Sequence, residues 1–120
     1  MTWDEVLSSA LALPGMEAGT AYGTPALRVR GKFLARLRED GETLAIRVDP
    51  DERPFLLDAH PGVLVLTPHY ESAPMVLVAL ARAEPGLVRS LVEDAWAERA
   101  PRRLVEQHLA ARIDHEGGGA

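Results

Sequence analysis

Between Ala26 and Val48 stand six basic side chains, Arg28, Arg30, Lys32, Arg36, Arg38 and Arg47, against three acidic ones, Glu39, Asp40 and Glu42. Most of the arginines are two residues apart and alternate with aliphatic residues. A guanidinium presents planar, paired donors that fit phosphate oxygens, and several of them on one rigid sheet would track a nucleic-acid backbone without reading its bases. The competing reading is a solvated sheet face, where long charged side chains cover apolar surface and pair with nearby acids. Glu39, Asp40, Glu42 and Asp49 are close enough in sequence to be those acids. An anionic small ligand or a protein partner is the remaining option for the same face.

His69 and Tyr70, between Pro68 and Pro74, form the second group with chemical potential, since an imidazole beside a phenol offers stacking and hydrogen bonding. The competing reading is that the pair merely shapes the turn. Arg102 and Arg103 follow Pro101 at an expected helix start, where the macrodipole disfavours positive charge. Their compensation is either the carboxylates of Glu98 and Glu106 or an external phosphate.

Other chemistries find no motif. His60, His69, His108 and His115 lack metal-ligand spacing, so no metal or other cofactor is expected. Ser8, Ser9, Ser72 and Ser90 lie outside any nucleophile elbow. Gly31-Lys32-Phe33 lacks the upstream glycine and the following hydroxyl of a phosphate-binding loop. Nothing pairs two carboxylates as acid and base. A non-enzymatic role is therefore expected.

The elements that must position these groups follow from periodicity. Thr2-Trp3-Asp4-Glu5 has the form of a capping box, and Trp3, Val6, Leu7, Ala10 and Leu11 recur at helical spacing, so a helix runs to about Leu13-Pro14-Gly15. Residues 16–25 read as an ordered loop. Leu27 and Val29 oppose Arg28 and Arg30; Phe33, Ala35 and Leu37 oppose Leu34, Arg36 and Arg38; Leu44, Ile46 and Val48 oppose Ala45 and Arg47. With hairpin signals at Gly31 and Asp40-Gly41, these segments predict a three-stranded antiparallel meander that gathers the arginines on one face.

A short helix is expected within 49–60, and the apolar runs 63–67 and 75–81 predict two strands covered on both sides. Pro85 opens a helix with Leu87, Val88, Leu91, Val92, Ala95 and Trp96 on one stripe. Pro101 breaks it, and a last helix should turn Leu104, Val105, His108 and Leu109 inward. The predicted order is α-β-β-β-α-β-β-α-α, an α+β fold with an antiparallel sheet and helices on one face. One domain is expected over residues 1–112 with a flexible tail over 113–120.

Length and composition fit that plan. A chain of 120 residues, 47% hydrophobic, can bury one core. The start lacks a basic leader, and the longest strongly apolar run is far too short for a bilayer, so no membrane partner and a cytoplasmic location are expected. The absence of cysteine excludes disulfides, thiolate metal sites and a cysteine nucleophile. The net charge of −5 argues against a surface that coats nucleic acid as a whole, but the segment 26–48 carries +3 and leaves −8 for the rest.

Several short motifs in order resemble the MmcQ/YjbR family. They are Leu13-Pro14-Gly15, Tyr22-Gly23-Thr24-Pro25, Arg30 to Leu37, Arg47-Val48-Asp49-Pro50, Thr67-Pro68-His69-Tyr70, Glu93-Asp94-Ala95-Trp96 and Ala100 to Leu104. The chain departs from that pattern at Met75, where the family often carries tryptophan. The resemblance implies a small frataxin-like or secretion-chaperone-like α+β fold and a DNA-binding role. The alternative expectation is a protein-interaction or dimerisation domain, motivated by the two apolar strands and the helix after Pro85. The third is an anion-binding or metal-dependent enzyme, which would show a buried polar pocket around His69, Tyr70 and the 17–25 segment.

Overall fold

A computed structural model describes residues 1–118, with side chains described through Ile113. Thr2 caps helix α1 (Trp3–Ala10) as expected, its hydroxyl accepting from the Glu5 amide while the Glu5 carboxylate accepts from the Thr2 amide. There follow β1 (Met16–Ala21), β2 (Thr24–Val29), β3 (Lys32–Leu37), β4 (Thr43–Arg47), α2 (Arg53–Ala59) and β5 (Leu64–Val65). A 3₁₀ turn (Pro68–Tyr70), β6 (Met75–Ala79), α3 (Pro85–Arg99) and α4 (Arg102–Gly118) complete the order. The tail expected over 113–120 lies largely outside the residues whose side chains are described.

All six strands form one antiparallel sheet in the order β1-β2-β3-β4-β6-β5. The α+β class holds, with one more strand than expected. Residues 16–21 are the edge strand β1 and not a loop, paired residue for residue with β2 from Met16↔Val29 to Ala21↔Thr24. Its composition of small residues carries little strand preference. What forms it is the tight turn at Tyr22 and Gly23, both with positive φ (53° and 79°), which folds the chain back on β2. Arg30 and Gly31 (50° and 79°) repeat the same turn between β2 and β3.

The helices cover one face of the sheet. The main core joins Val6 and Ala10 of α1, Val88, Leu91, Val92, Ala95 and Trp96 of α3, and Leu104 of α4 to Leu27, Val29, Leu44, Ile46, Val76 and Val78 of the strands. Trp96, 1% exposed, donates from Nε1 to the Pro14 carbonyl at 2.8 Å, so two of the sequence motifs meet in the core. Gly15 beside it has a φ of +75°, a left-handed conformation that favours glycine, and a Cβ there would meet Leu104 Cδ1 at 2.7 Å, so that the leucine end would have to shift. His108 packs edge-on against Trp96 at 5.2 Å between centroids, turned inward as expected. Leu109, expected inward, is 49% exposed.

A register shift between Leu27 and Arg28 adds one residue to β3, a bulge at Leu34. Leu34, Ala35 and Leu37 all enter the main core as a result, and Phe33, expected there, crosses to the other face. On that face Phe33, Leu66 and Ala73 pack on a smaller buried cluster of Ala45, Tyr70, Met75 and Leu77. β6 is therefore covered on both sides, by Val76 and Val78 in the main core and by Met75 and Leu77 in the second cluster. Of the two apolar strands that suggested a dimer interface, β6 is thus covered internally, while Val65 of β5 stays 39% exposed.

No helix among the described residues is long and apolar enough to cross a membrane.

Candidate nucleic-acid interface

Strand register decides which basic residues share the face away from the helices. Arg28 pairs with Phe33, and Arg36 pairs with Ala26 on one side and Ala45 on the other, so both belong to the face of the second cluster. Arg38 reaches the same face, its guanidinium carbon 5.6 Å from the centroid of the Tyr70 ring.

The structure does not bring the other three to this group. Arg30 occupies a turn, and its Nε lies 3.8 Å from where a Cβ on Gly15 would stand, on the helix side. Lys32 pairs with Val29, whose side chain belongs to the main core, so the register sends it to the same side. Arg47 pairs with Met75 of the second cluster, so register alone would give it the open face, but at the end of β4 it lines a separate groove of ≈ 430 Å³ with Asp49 and Glu52 and with Asp94 and Glu98 of α3. Burial and the nearby Arg99 charge lower its pKa, with Glu98 opposing them.

Arg36 is held from three sides. Nη1 donates to Thr24 Oγ1 and to Glu39 Oε1, each at 3.2 Å, and Nη2 donates to the Tyr70 hydroxyl at 3.4 Å. Its guanidinium also lies over the Tyr22 ring, 5.3 Å from the centroid. Burial taken alone would lower its pKa, but the hydrogen bonds to Tyr70 and Glu39 and their charges outweigh that, and the net shift is upward. Arg36 therefore stays charged and fixed, with its side chain 12% exposed.

Around it opens a cleft of ≈ 500 Å³. Tyr22 and His69 stand at its walls; Phe33, Tyr70 and Met75 supply apolar lining, and Arg36 and Glu39 supply the charges. The concavity lies where the enzymatic alternative would place a pocket, at His69, Tyr70 and, from the 17–25 segment, Tyr22. His69 is exposed and meets Tyr70 edge-on at 4.9 Å. Met75, the departure from the family pattern, is buried at the cleft.

The turn that carries His69 and Tyr70 is clamped by a residue the sequence did not single out. Arg53, at the start of α2, donates from Nη1 to the carbonyls of Ala73 (2.6 Å), Met75 (3.2 Å) and Tyr70 (3.3 Å), and from Nη2 to that of Glu71 (2.9 Å). No local pattern marks it, because its partners lie 17 to 22 residues away.

The acids expected to neutralise the arginines are mostly engaged elsewhere. Asp40 accepts from the Glu42 and Thr43 amides (both 2.9 Å) and from the Thr43 hydroxyl (2.7 Å), closing the β3–β4 turn. Asp49 accepts from the Asp51 amide, and Glu17, opposite Arg28, accepts from the Gly31 amide. Among the described residues only Arg36 of the six makes an ion pair, with Glu39. Arg38 buries its Nε without a hydrogen-bond partner. Arg102 pairs with Glu106 at 2.9 Å, one of the two internal acids expected, and neither Arg102 nor Arg103 lines the cleft. No group of three or more His, Asp and Glu side chains among the described residues is placed to hold a metal.

A family model described as YjbR matches residues 11–98, a stretch that holds the whole cleft and its Arg53 clamp. Among curated proteins the chain is similar to the uncharacterized protein Rv2570 of Mycobacterium tuberculosis and the uncharacterized protein Mb2600 of Mycobacterium bovis. Each is 39% identical over 71 residues, 58% of this chain and 55% of the relative. The chain thus matches about half the length of these relatives.

Proposed function

The chain belongs to the YjbR family, and from that premise we propose that it binds nucleic acid, contacting phosphates through Arg28 and Arg38 on either side of the fixed Arg36. One observation carries this reading: Arg28 and Arg38 share the open sheet face, and neither has a carboxylate within ion-pair reach among the described residues. A guanidinium with no ion pair is open to an external anion, although Glu39 and Asp40 act on Arg38 at longer range, and arginine suits phosphate by geometry. With few such groups the binding is weak, non-specific and dependent on salt.

Fluorescence anisotropy of labelled oligonucleotides, titrated at several salt concentrations, tests it. Arg28→Glu/Arg38→Glu should abolish binding; because it sets new carboxylates opposite Glu17 and beside Asp40, Arg28→Gln/Arg38→Gln, which adds no like charge and should weaken binding while melting close to the parent, separates lost phosphate contact from lost fold. Binding that ignores both salt and these variants would refute the reading.

A second reading, self-association, is favoured by the β1 edge. This strand has six residues, an unbroken register with β2 and a single charge at Glu17, and so lacks the usual protection of a sheet edge. An antiparallel pair of β1 strands centred between Ala18 and Gly19 would set Glu17 opposite Thr20, with no like charges facing. Light scattering across a concentration series checks this: a dimer that Ala18→Pro converts to monomer supports it, and a monomer throughout removes it.

A further inference from the structure

Tyr22 departs from the ordinary in two ways at once. Its side chain is 87% exposed, and its φ of 53° lies in the left-handed region, where asparagine, aspartate or glycine would sit more easily. Neither buried cluster uses the ring. The ring meets Arg36, whose guanidinium covers one face and is itself held by Thr24, Glu39 and Tyr70. A bulky aromatic is thus kept at an unfavourable backbone position, backed by an immobilised cation, at the wall of a cleft.

We infer that this cleft receives one unpaired base of a single-stranded nucleic acid, stacked on Tyr22, while the adjoining phosphates go to Arg28 and Arg38. The inference deepens the phosphate-binding reading and rests on it. The cleft volume of ≈ 500 Å³ falls within the range of small-ligand sites, which suits one nucleotide. Stacking accepts any base because each has a π-face. The Glu39 carboxylate, the Tyr70 hydroxyl and the His69 imidazole add acceptors and donors for a base edge. A paired base within a duplex stack cannot enter.

The test compares a short fluorescent single strand, the same sequence as a blunt duplex, and a free nucleoside monophosphate as competitor, each against the parent chain, Tyr22→Asn and Tyr22→Phe. Asparagine suits the left-handed turn, so Tyr22→Asn should melt no lower than the parent, and any loss of binding is then a loss of the ring. Tyr22→Asn is expected to weaken single-strand binding roughly 5- to 150-fold and to leave duplex binding unchanged, while Tyr22→Phe stays close to the parent. An unchanged single-strand affinity in Tyr22→Asn overturns the inference, and the phosphate reading survives if Arg28→Glu/Arg38→Glu still abolishes binding. A monophosphate that binds as tightly as the strand overturns it in favour of a free nucleotide. No binding of strand or duplex at low salt overturns both readings together.

Discussion

The Arg36 guanidinium donates to the Tyr70 hydroxyl across 3.4 Å, joining strand β3 to a turn 34 residues further along the chain. Tyr70 stands between two arginines, since Arg38 lies over its ring while Arg36 holds its hydroxyl. The cleft thus has a shared post: remove the phenol oxygen and Arg36 loses a partner, remove the ring and Arg38 loses its platform.

A double-mutant cycle on Arg36→Met and Tyr70→Phe measures that link. The expected coupling is about 0.5–1.5 kcal/mol, the net value of one hydrogen bond, and nearer the lower end at this distance. Chemical denaturation of the four chains gives the number. A coupling indistinguishable from zero would mean that the contact does not persist in solution.

Arg53 makes a larger difference because it serves four carbonyls at once. Arg53→Ala should lower the unfolding free energy by about 2–3 kcal/mol, and hydrogen exchange should rise specifically over residues 70–75. Arg53→Lys should recover only part of this, because a single ammonium cannot reproduce the fork. Destabilisation without faster exchange in that segment would assign Arg53 a merely local role in α2.

The contrast between these two arginines shows what the sequence could and could not reveal. Alternation placed Leu44, Ile46 and Val48 against Ala45 correctly, and helical spacing identified the buried stripe of α3, because burial leaves a periodic trace. The bulge at Leu34 left none, so Phe33 was assigned to the wrong face. β1 was missed for a related reason: its pairing follows from the Tyr22-Gly23 turn and the neighbouring strand, not from its own small residues. Tyr22, His69 and Tyr70 were visible as aromatic residues in loops, but their meeting depends on long-range contacts, and so does the Arg53 clamp.

Asp40 gives the fold a dependence on acid. The Thr43 hydroxyl, then the Glu42 amide, and after them the Thr43 amide and the Arg38 charge, hold its carboxyl below the ordinary aspartate range, against the opposing effect of burial. A carboxylate whose folded pKa is depressed contributes stability that is complete above the unfolded value, about 3.9, and fades as pH falls through the lower folded value. Asp40→Asn should therefore be less stable than the parent near neutral pH, with the gap closing below about pH 4. Urea denaturation of both chains from pH 7 to pH 3 checks it. A gap independent of pH would show that the turn needs the side chain's shape and not its charge.

Salt dependence separates the proposed contact through two arginines from the six-residue contact that the bare sequence suggests. Six basic residues on one face would each release a counterion, giving a log–log slope of roughly −4 on a single strand at −0.7 per phosphate. The open face instead holds Arg28 and Arg38 as unpaired cations beside the internally bonded Arg36, so the slope should be only about −1.4, or about −2 if Arg36 also engages a phosphate. Arg28→Ala should remove about 0.7 from it. Arg47→Ala should leave it unchanged, because Arg47 faces the groove of Asp49, Glu52, Asp94 and Glu98, where an incoming phosphate meets carboxylates. A slope that falls in Arg47→Ala and not in Arg28→Ala would move the strand off the sheet face and onto the groove beside α3.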